Sequence, residues 1–147
     1  MDNYRKDFIG WARIAEEVEK RELGLMVRKG GIYWANIGVG IGSEEVGKGN
    51  RFTRPVLVLA KINERTVYAI PITSQPKHRR DYREIIVAGK TEFLIVCQGR
   101  PLDVLRLEHF IDEVAPQELG DIWRYWLKTM RYHFYKKSSS TEVEPDF

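Results

Sequence analysis

The sequence predicts a mainly β domain with flanking helices, of the α+β class, built as a small antiparallel barrel. Between residues 30 and 110, five or six short apolar runs are separated by short polar connections, as in a strongly curved sheet. Amphipathic helical patterns flank this region on both sides. The 147 residues suffice for one domain with a core. We therefore expect a barrel with an N-terminal helix and a long C-terminal helix.

The first element is an amphipathic helix over residues 7–22. Apolar side chains recur at helical spacing at Phe8, Trp11, Ala15 and Val18. Charged residues fill the opposite side, and Gly24 is a candidate for the position that ends the helix. We expect its apolar stripe to pack on the domain, with a dimer or partner surface as the alternative.

The central region reads as a series of strands. The apolar runs are GGIYWANIG, PVLVLAKI, TVYAIPI, YREIIVA, EFLIVC and RPLDVLRL. The second and third runs are separated by Asn63-Glu64-Arg65, and the fourth and fifth by Gly89-Lys90-Thr91. Such short polar connections predict hairpins.

The last element is a helix over residues 116–135. Pro116 suits its first turn. One apolar stripe follows, made of Leu119, Ile122, Trp123, Trp126 and Met130. We expect this stripe to pack on the sheet. The tail, residues 138–147, is polar and acidic and is predicted to be disordered, so residues 1–137 form the single domain.

Composition restricts the class of protein. Hydrophobic residues make up 43% and charged residues 31%, which is ordinary for a soluble domain. No apolar run reaches the length of a membrane span, and the N-terminus lacks a signal peptide's apolar centre, so we expect a cytoplasmic location and no membrane contact. The single Cys97 offers no disulfide framework. The three histidines are scattered along the chain, without the spacing of metal ligands, so we expect no metal. We also expect no cofactor.

Basic residues are concentrated in the middle of the chain. Residues 23–137 carry seven more basic than acidic side chains, whereas residues 138–147 hold three acids and no base. A domain with a net positive charge is suited to binding a polyanion such as nucleic acid, although many ordinary soluble domains are equally basic.

The stretch GSEEVGKGNRFTRP, Gly42 to Pro55, begins like a nucleotide-binding P-loop. A P-loop requires Ser or Thr after its lysine and then a helix, but Gly49 follows Lys48 and an apolar strand comes next. Two carboxylates in this loop would also repel phosphates. We therefore interpret it as a substrate-gating loop that delivers Glu44 and Arg54 to the edge of a strand.

Three polar side chains are predicted to meet at this edge. Arg54 begins one strand and Thr73 ends the next, so hairpin pairing brings them together, and Glu44 lies on the loop before Arg54. Arginine can hold a phosphate bidentately, a hydroxyl can donate to it, and a carboxylate can deprotonate an attacking hydroxyl. An RNA 2′-OH as attacker would require no metal. The alternative is a surface ion pair beside a turn-capping threonine.

A basic segment follows this site directly. KHRRDYR, residues 77–83, places four basic side chains and a tyrosine just after Ser74 and Gln75. Basic groups neutralise phosphates and aromatic rings stack on unpaired bases. The segment is interpreted either as a nucleic-acid contact or as a solvated loop.

These pieces resemble, in order, the MazF/PemK-type toxins of bacterial type II toxin–antitoxin systems. GGIYWANIG is similar to the first strand of the family, and GSE to the loop before its Arg-Pro. RPVLVL resembles the strongest family signature, and PITSQ the end of the next strand. Gln98 and Arg100 in CQGRPLD are similar to a later Gln-x-Arg/Lys segment. The resemblance spans about residues 30 to 107.

The resemblance implies an SH3-like barrel that forms a homodimer and acts as a metal-independent, sequence-selective endoribonuclease on single-stranded RNA. It implies a 2′,3′-cyclic phosphate product and a cognate antitoxin partner. It assigns phosphate binding and proton transfer to Arg54, transition-state stabilisation to Thr73 and a supporting carboxylate to Glu44. With the basic segments added, the predicted RNA contacts are Trp34, Ser43, Lys48, Arg51, Ser74, Gln75, Lys77, Arg79, Arg80, Gln98 and Arg100.

The chain departs from the family pattern in its longer Glu44–Arg54 loop, its N-terminal helix, and its enlarged C-terminal helix and tail. A binding module without catalysis, including a gyrase-inhibiting toxin on the same barrel, therefore remains the alternative function.

Overall fold

The structure is a computed structural model that describes residues 5–135. The predicted tail, residues 138–147, lies outside them. Two helices flank seven strands, and single 3₁₀ turns precede and follow the sixth strand. The elements are α1 (Phe8–Glu19), β1 (Gly31–Asn36), β2 (Thr53–Lys61), β3 (Thr66–Thr73), β4 (Tyr82–Val87), β5 (Lys90–Ile95), β6 (Arg100–Asp103), β7 (Leu107–Glu113) and α2 (Pro116–Tyr135).

The strands form one curled antiparallel sheet. Their order is β4-β5-β3-β2-β1-β7, and β6 pairs with the first half of β3. The two ends of this order approach each other, because the Ala88 N–H beside β4 donates to the Asp112 carboxylate of β7 at 2.9 Å. The predicted class, a curved antiparallel barrel with flanking helices, is confirmed.

The middle strands bury both faces, which explains their continuous apolar runs. In β2, Val56 and Val58 join one core cluster while Leu57 and Leu59 join another. The second cluster is covered by α2, whose Ile122 is 1% exposed. Since successive strand residues point to opposite faces, such a strand cannot alternate apolar and polar residues. α2 starts at Pro116 and covers the sheet as predicted, through Leu119, Trp126 and Met130 beside Ile122. Trp123 of the predicted stripe is instead 47% exposed.

Both predicted hairpins are present, but the second turn comes earlier than predicted, because Lys90 and Thr91 already pair with β4 as part of β5. Asn63 Oδ1 accepts from the N–H groups of Arg65 and Thr66, each at 2.9 Å, which fixes the turn between β2 and β3. The turn between β4 and β5 consists of Ala88 and Gly89, with φ of 48° and 80°. Two consecutive positive φ values are typical of a type I′ hairpin turn.

The seventh strand was missed by the prediction of five or six. β7 pairs with β1 through two register shifts. Its sequence, LEHFIDE, is mostly exposed or half-buried, and so lacks the apolar run that marks the other strands.

The N-terminal helix is shorter than predicted. It ends at Glu19, three residues before the expected end and well before Gly24. The reason lies in tertiary contacts: the Arg21 guanidinium leaves the helix to bind Asn36 Oδ1 at 2.7 Å and the Leu105 carbonyl at 2.8 Å.

α1 packs against the loop between β1 and β2. The Trp11 ring makes an edge-on contact with buried Phe52, with ring centroids 5.8 Å apart. Phe52 itself has a φ of 56°, an uncommon conformation for a bulky residue that needs support from its surroundings. Just before α1, Lys6 Nζ donates to the carbonyls of Gly40 and Gly42 at 2.8 Å each. The helix and Lys6 just before it therefore both brace the loop.

We expect Trp11→Ala to destabilise the protein and loosen this loop. The substitution removes the ring that packs on Phe52, at a cost of about 2 kcal/mol for a half-buried aromatic side chain. Urea unfolding and limited proteolysis of residues 38–52 measure the two effects. Ile9→Ala is the matched control, because Ile9 lies on the same helix and is 73% exposed. Equal proteolysis rates for the two variants would contradict the bracing role.

Neither helix in residues 5–135 combines the length and apolar character needed to cross a membrane.

Candidate functional site

Arg54 lies at the start of β2 with its guanidinium buried against the end of β3. The residue is 8% exposed, and Nη1 donates to the Ile72 carbonyl at 3.2 Å. The hairpin thus brings Arg54 to the residue that precedes Thr73, as the strand pattern predicts. A buried arginine needs a partner for its charge, and that partner comes from the loop.

The carboxylate beside Arg54 belongs to Glu45. Its Oε2 atom is 3.1 Å from Arg54 Nη2, and the Val46 carbonyl accepts from Nε at 3.2 Å and from Nη2 at 2.9 Å. Glu44, the carboxylate predicted for this position, instead accepts from the Ile41 N–H at 3.1 Å. Sequence reasoning missed Glu45 because an irregular loop has no periodicity that separates adjacent glutamates.

The Thr73 hydroxyl lies at the strand end. Thr73 is 9% exposed, and its Oγ1 accepts from the Gln75 N–H at 3.2 Å. This is the turn-capping contact of the alternative interpretation. A hydroxyl that accepts one hydrogen bond retains its own proton for donation, so the contact holds the oxygen in place without consuming the donor.

One cavity opens beside Glu45, between the loop and β6. Its volume is about 310 Å³. Polar groups come from Glu44 and Glu45 on one side and from Gln98 and Arg100 on the other. The apolar lining consists of Ile37, Val56, Ala69, Pro71 and Leu102.

A second cavity, of about 340 Å³, opens on the other side of Arg54. It is lined by Arg54 and Ile72 together with Lys48, Ser74 and Trp34, whose ring is 37% exposed. An exposed tryptophan next to basic side chains can stack on an unpaired base. Arg54 lines this cavity and its partner Glu45 lines the first one, and predicted contact residues line both.

The loop folds as a compact hairpin-like structure. Lys48 and Thr53 exchange two backbone hydrogen bonds, of 2.8 and 3.0 Å, and the Gly47 N–H donates to the Gly38 carbonyl at 2.7 Å. Gly49 supplies the turn with a φ of 74°. The chain then enters β2 rather than a helix, so the rejection of a P-loop is confirmed.

Arg51, a predicted RNA contact, is instead engaged in ion pairs. Its Nε lies 2.9 Å from Glu108 Oε1, and Nη1 lies 3.3 Å from Glu17 Oε2. The same Glu108 oxygen accepts from Arg21 at 3.0 Å and from the fully buried Asn36 at 3.1 Å. This network joins α1, β1, the loop and β7, and it raises the pKa of the Arg51 guanidinium chiefly through the Glu108 hydrogen bond.

The basic segment after β3 docks on α2. Tyr125 Oη donates to the Arg80 carbonyl at 2.7 Å. The Arg80 guanidinium lies 3.5 Å from the centre of the Tyr132 ring, a cation–π contact. Lys77 and Arg79 are exposed. The segment is therefore held in place while part of its charge faces solvent.

The remaining predicted contacts lie at the surface. Ser43 and Gln75 are exposed. Within residues 5–135, no cluster of three or more His, Cys, Asp and Glu side chains is arranged to hold a metal ion.

Three solved structures share this fold at low sequence identity. A Mycobacterium tuberculosis toxin, MazF-mt6, is 13% identical with a TM-score of 0.52, over 68% of this chain and 95% of that chain. A mycobacterial endoribonuclease in complex with its cognate antitoxin is 14% identical with a TM-score of 0.55, over 71% and 95%. MazF from Deinococcus radiodurans is 21% identical with a TM-score of 0.59, over 73% and 98%.

No curated protein sequence matches the chain. A family model does: that of the PemK-like, MazF-like toxins of type II toxin–antitoxin systems, which matches residues 28–127. The matched range contains every strand, the loop, Arg54, Thr73 and both cavities. It leaves out α1, so the helix that braces the loop lies outside the matched range. Because the match covers more than half of its length, the chain belongs to this family of PemK-like, MazF-like toxins.

Proposed function

We propose that the protein is an endoribonuclease that cuts single-stranded RNA without a metal ion. The observation that carries the proposal is the buried Arg54 guanidinium, which lies at the start of β2 against the carbonyl of Ile72, the residue that precedes Thr73, and 3.1 Å from the Glu45 carboxylate. Arg54 lines one cavity and Glu45 lines the other. One solved structure of the same fold is an endoribonuclease bound to its cognate antitoxin. A phosphodiester at Arg54 would place its neighbouring nucleotides over the two cavities.

The proposed reaction uses the RNA's own 2′-OH. The 2′ oxygen attacks the adjacent phosphorus while its proton passes to a carboxylate, for which Glu45 is the group nearest Arg54. Arg54 and the Thr73 hydroxyl stabilise the charge on the five-coordinate phosphorus. The bond to the 5′ oxygen then breaks, and that oxygen leaves as a hydroxyl after gaining a proton, a transfer that the family resemblance assigns to Arg54. The products are a 2′,3′-cyclic phosphate and a 5′-hydroxyl.

RNA must displace part of the loop to reach Arg54. In the present arrangement the guanidinium donates to Glu45, Val46 and Ile72, so a phosphate has to compete with the Glu45 carboxylate. Glu45 therefore has two roles in the proposal: it neutralises Arg54 before RNA binds and takes a proton afterwards. Arg51 is left out of the proposed RNA contacts because of its ion pairs.

Incubation of wild-type protein with a long single-stranded RNA in EDTA tests the function. We expect cleavage with cyclic-phosphate ends, and about a 100- to 1,000-fold slower rate for Thr73→Val, which loses one donor to the phosphate. Thr91→Val, at an exposed position near the start of β5, is the matched control. Binding of RNA without cleavage by pure, folded wild type would favour the non-catalytic module, and inhibition of gyrase in a supercoiling assay would favour that toxin class.

We also propose that the protein forms a homodimer and binds a cognate antitoxin. α2 keeps large apolar side chains exposed, with Trp123 at 47% and Phe134 at 75%, and a related fold has been solved with its antitoxin. Light scattering of purified protein tests the dimer, and a monomer at all concentrations would contradict it.

A further inference from the structure

The cavity lined by Glu44 and Arg100 has a polar pattern that the cleavage chemistry does not use. Its volume of about 310 Å³ lies at the small end of ligand pockets and suits a single nucleobase. Apolar side chains such as Val56, Pro71 and Leu102 provide a surface for a planar ring. The polar groups stand at the rim on two opposing segments, the loop and the start of β6.

The rim presents acceptors on one side and donors on the other. On the loop, Glu44 uses Oε1 to accept from the Ile41 N–H, which orients the carboxylate and leaves Oε2 available. Across the cavity, Arg100 presents a guanidinium that no carboxylate within residues 5–135 pairs with. Gln98, between Cys97 and Gly99, adds an amide that both donates and accepts.

Guanine is the base that matches this pattern. Its N1–H and N2–H groups are adjacent donors, which a carboxylate can accept together. Its O6 and N7 atoms are adjacent acceptors, which an arginine can contact bidentately. Adenine, cytosine and uracil each lack one of these adjacent pairs. In single-stranded RNA both edges are open to side chains.

The cavity also lies close to the proposed phosphate position at Arg54. Glu45 lines it and pairs with Arg54 at 3.1 Å, so a base in the cavity belongs to a nucleotide next to the phosphate at Arg54. We propose that this cavity is a guanine-binding pocket in which Glu44 accepts from N1–H and N2–H and Arg100 donates to O6 and N7. The proposal rests on the proposed function, since it makes the cleavage guanine-selective.

The test measures binding without cleavage. Fluorescent 11-mers consist of ten uridines around one central base, with 2′-deoxyribose throughout so that no 2′-OH can attack. The central base is guanine, adenine, hypoxanthine, which lacks the N2 amino group, or 7-deazaguanine, which lacks N7. We expect wild type to bind the guanine strand about 10- to 100-fold more tightly than the adenine strand, and each analogue at an intermediate level.

The variants assign each contact. Glu44→Gln is expected to bind guanine and hypoxanthine strands equally while still discriminating against 7-deazaguanine. Arg100→Ala is expected to bind guanine and 7-deazaguanine strands equally while still discriminating against hypoxanthine. Arg124→Ala is the matched control, because Arg124 lies on α2 and pairs with Asp121, and it keeps the full wild-type pattern.

The outcomes separate this pocket from the nuclease proposal. Guanine preference with no cleavage of any RNA would support the pocket and refute the nuclease. Cleavage of long RNA with no guanine enriched beside the cut, and equal binding of the guanine and adenine strands, would refute the pocket alone. Absence of binding to all four strands would also refute the pocket. If Glu44→Gln still binds the hypoxanthine strand more weakly than the guanine strand, and Arg100→Ala still binds the 7-deazaguanine strand more weakly, the assigned contacts are refuted.

Discussion

Arg54→Ala is expected to lower the rate of RNA cleavage by about a thousand-fold or more. A single donor to a developing oxyanion contributes roughly 10²–10³ in rate, and Arg54 also supplies the positive charge nearest the proposed phosphate position. Single-turnover cleavage of a labelled RNA at saturating protein measures the loss. RNA binding is expected to weaken less than cleavage, because the basic segment and Trp34 remain.

The variant must be shown to fold, since Arg54 is buried. Removing the guanidinium leaves the Ile72 and Val46 carbonyls and the Glu45 carboxylate without their donor. Each such loss costs about 1–3 kcal/mol if no water replaces it. Arg54→Lys keeps the charge and avoids this problem, but it lacks the planar fork that holds two oxygens at once. We expect it to fold and to remain at least about 30-fold slower than wild type.

Arg65→Ala is the matched arginine control. Arg65 lies in the β2–β3 turn and its exposed side chain pairs only loosely with Asp103, at 3.4 Å. It is expected to cleave at the wild-type rate, because exposed ion pairs contribute little. Full activity of folded Arg54→Lys would contradict the role given to Arg54.

Local signals were enough to predict the core of this fold. The β2 and β3 runs are apolar on both faces, and Asn63 fixes the turn between them through its own side chain. That turn sets the register, and the register is what brings Arg54 against the end of β3. The pairing of β2 with β3 therefore brings Arg54 to Ile72, the residue before Thr73, as the strand pattern of the sequence predicts.

The rest of the site depends on contacts between distant residues. Which glutamate faces Arg54 is decided by loop geometry around Gly38 and Gly47, and no short-range pattern specifies it. Asn36 and Glu108 are 72 positions apart, so their hydrogen bond follows only from the pairing of β1 with the inconspicuous β7. The ion pair between Arg51 and Glu108 depends on the same pairing of β1 with β7. The local sequence does not reveal this ion pair, and it therefore predicts that Arg51 is free to bind RNA.

The Glu108 network makes a second large effect predictable, this time on stability. Three donors, from Arg21, Asn36 and Arg51, converge on Glu108 Oε1 at 2.9–3.1 Å. Glu108→Gln removes the negative charge that holds them. We expect a loss of about 2 kcal/mol in the free energy of unfolding at pH 7, since hydrogen bonds to charged groups contribute about 1.5–3 kcal/mol. Urea unfolding at constant ionic strength measures it.

The pH dependence of this loss identifies its cause. Burial raises the pKa of the Glu108 carboxyl, but hydrogen bonds from Arg51 and Asn36 and the charges of Arg51 and Arg21 outweigh it, so the pKa lies below its usual value. A lowered pKa in the folded state means that the carboxylate stabilises the fold above the unfolded value of about 4.3. This stabilisation disappears as the pH falls through the lower folded-state value.

The difference between wild type and Glu108→Gln should therefore be constant from pH 6 to 8 and shrink as the pH falls below the unfolded-state value of about 4.3 and the carboxylate is protonated. Glu113→Gln is the control, because its pair with Arg28 spans 3.9 Å and is about half exposed, and it should cost less than about 0.5 kcal/mol at every pH. If the loss in the free energy of unfolding in Glu108→Gln stays unchanged below pH 4, its cause is altered packing or hydrogen-bond geometry rather than the lost charge. A loss that disappears as the Glu108 carboxyl is protonated would establish that this one carboxylate couples α1, the loop and the sheet electrostatically. Glu108 would then help to fix the loop that carries Glu45 to Arg54.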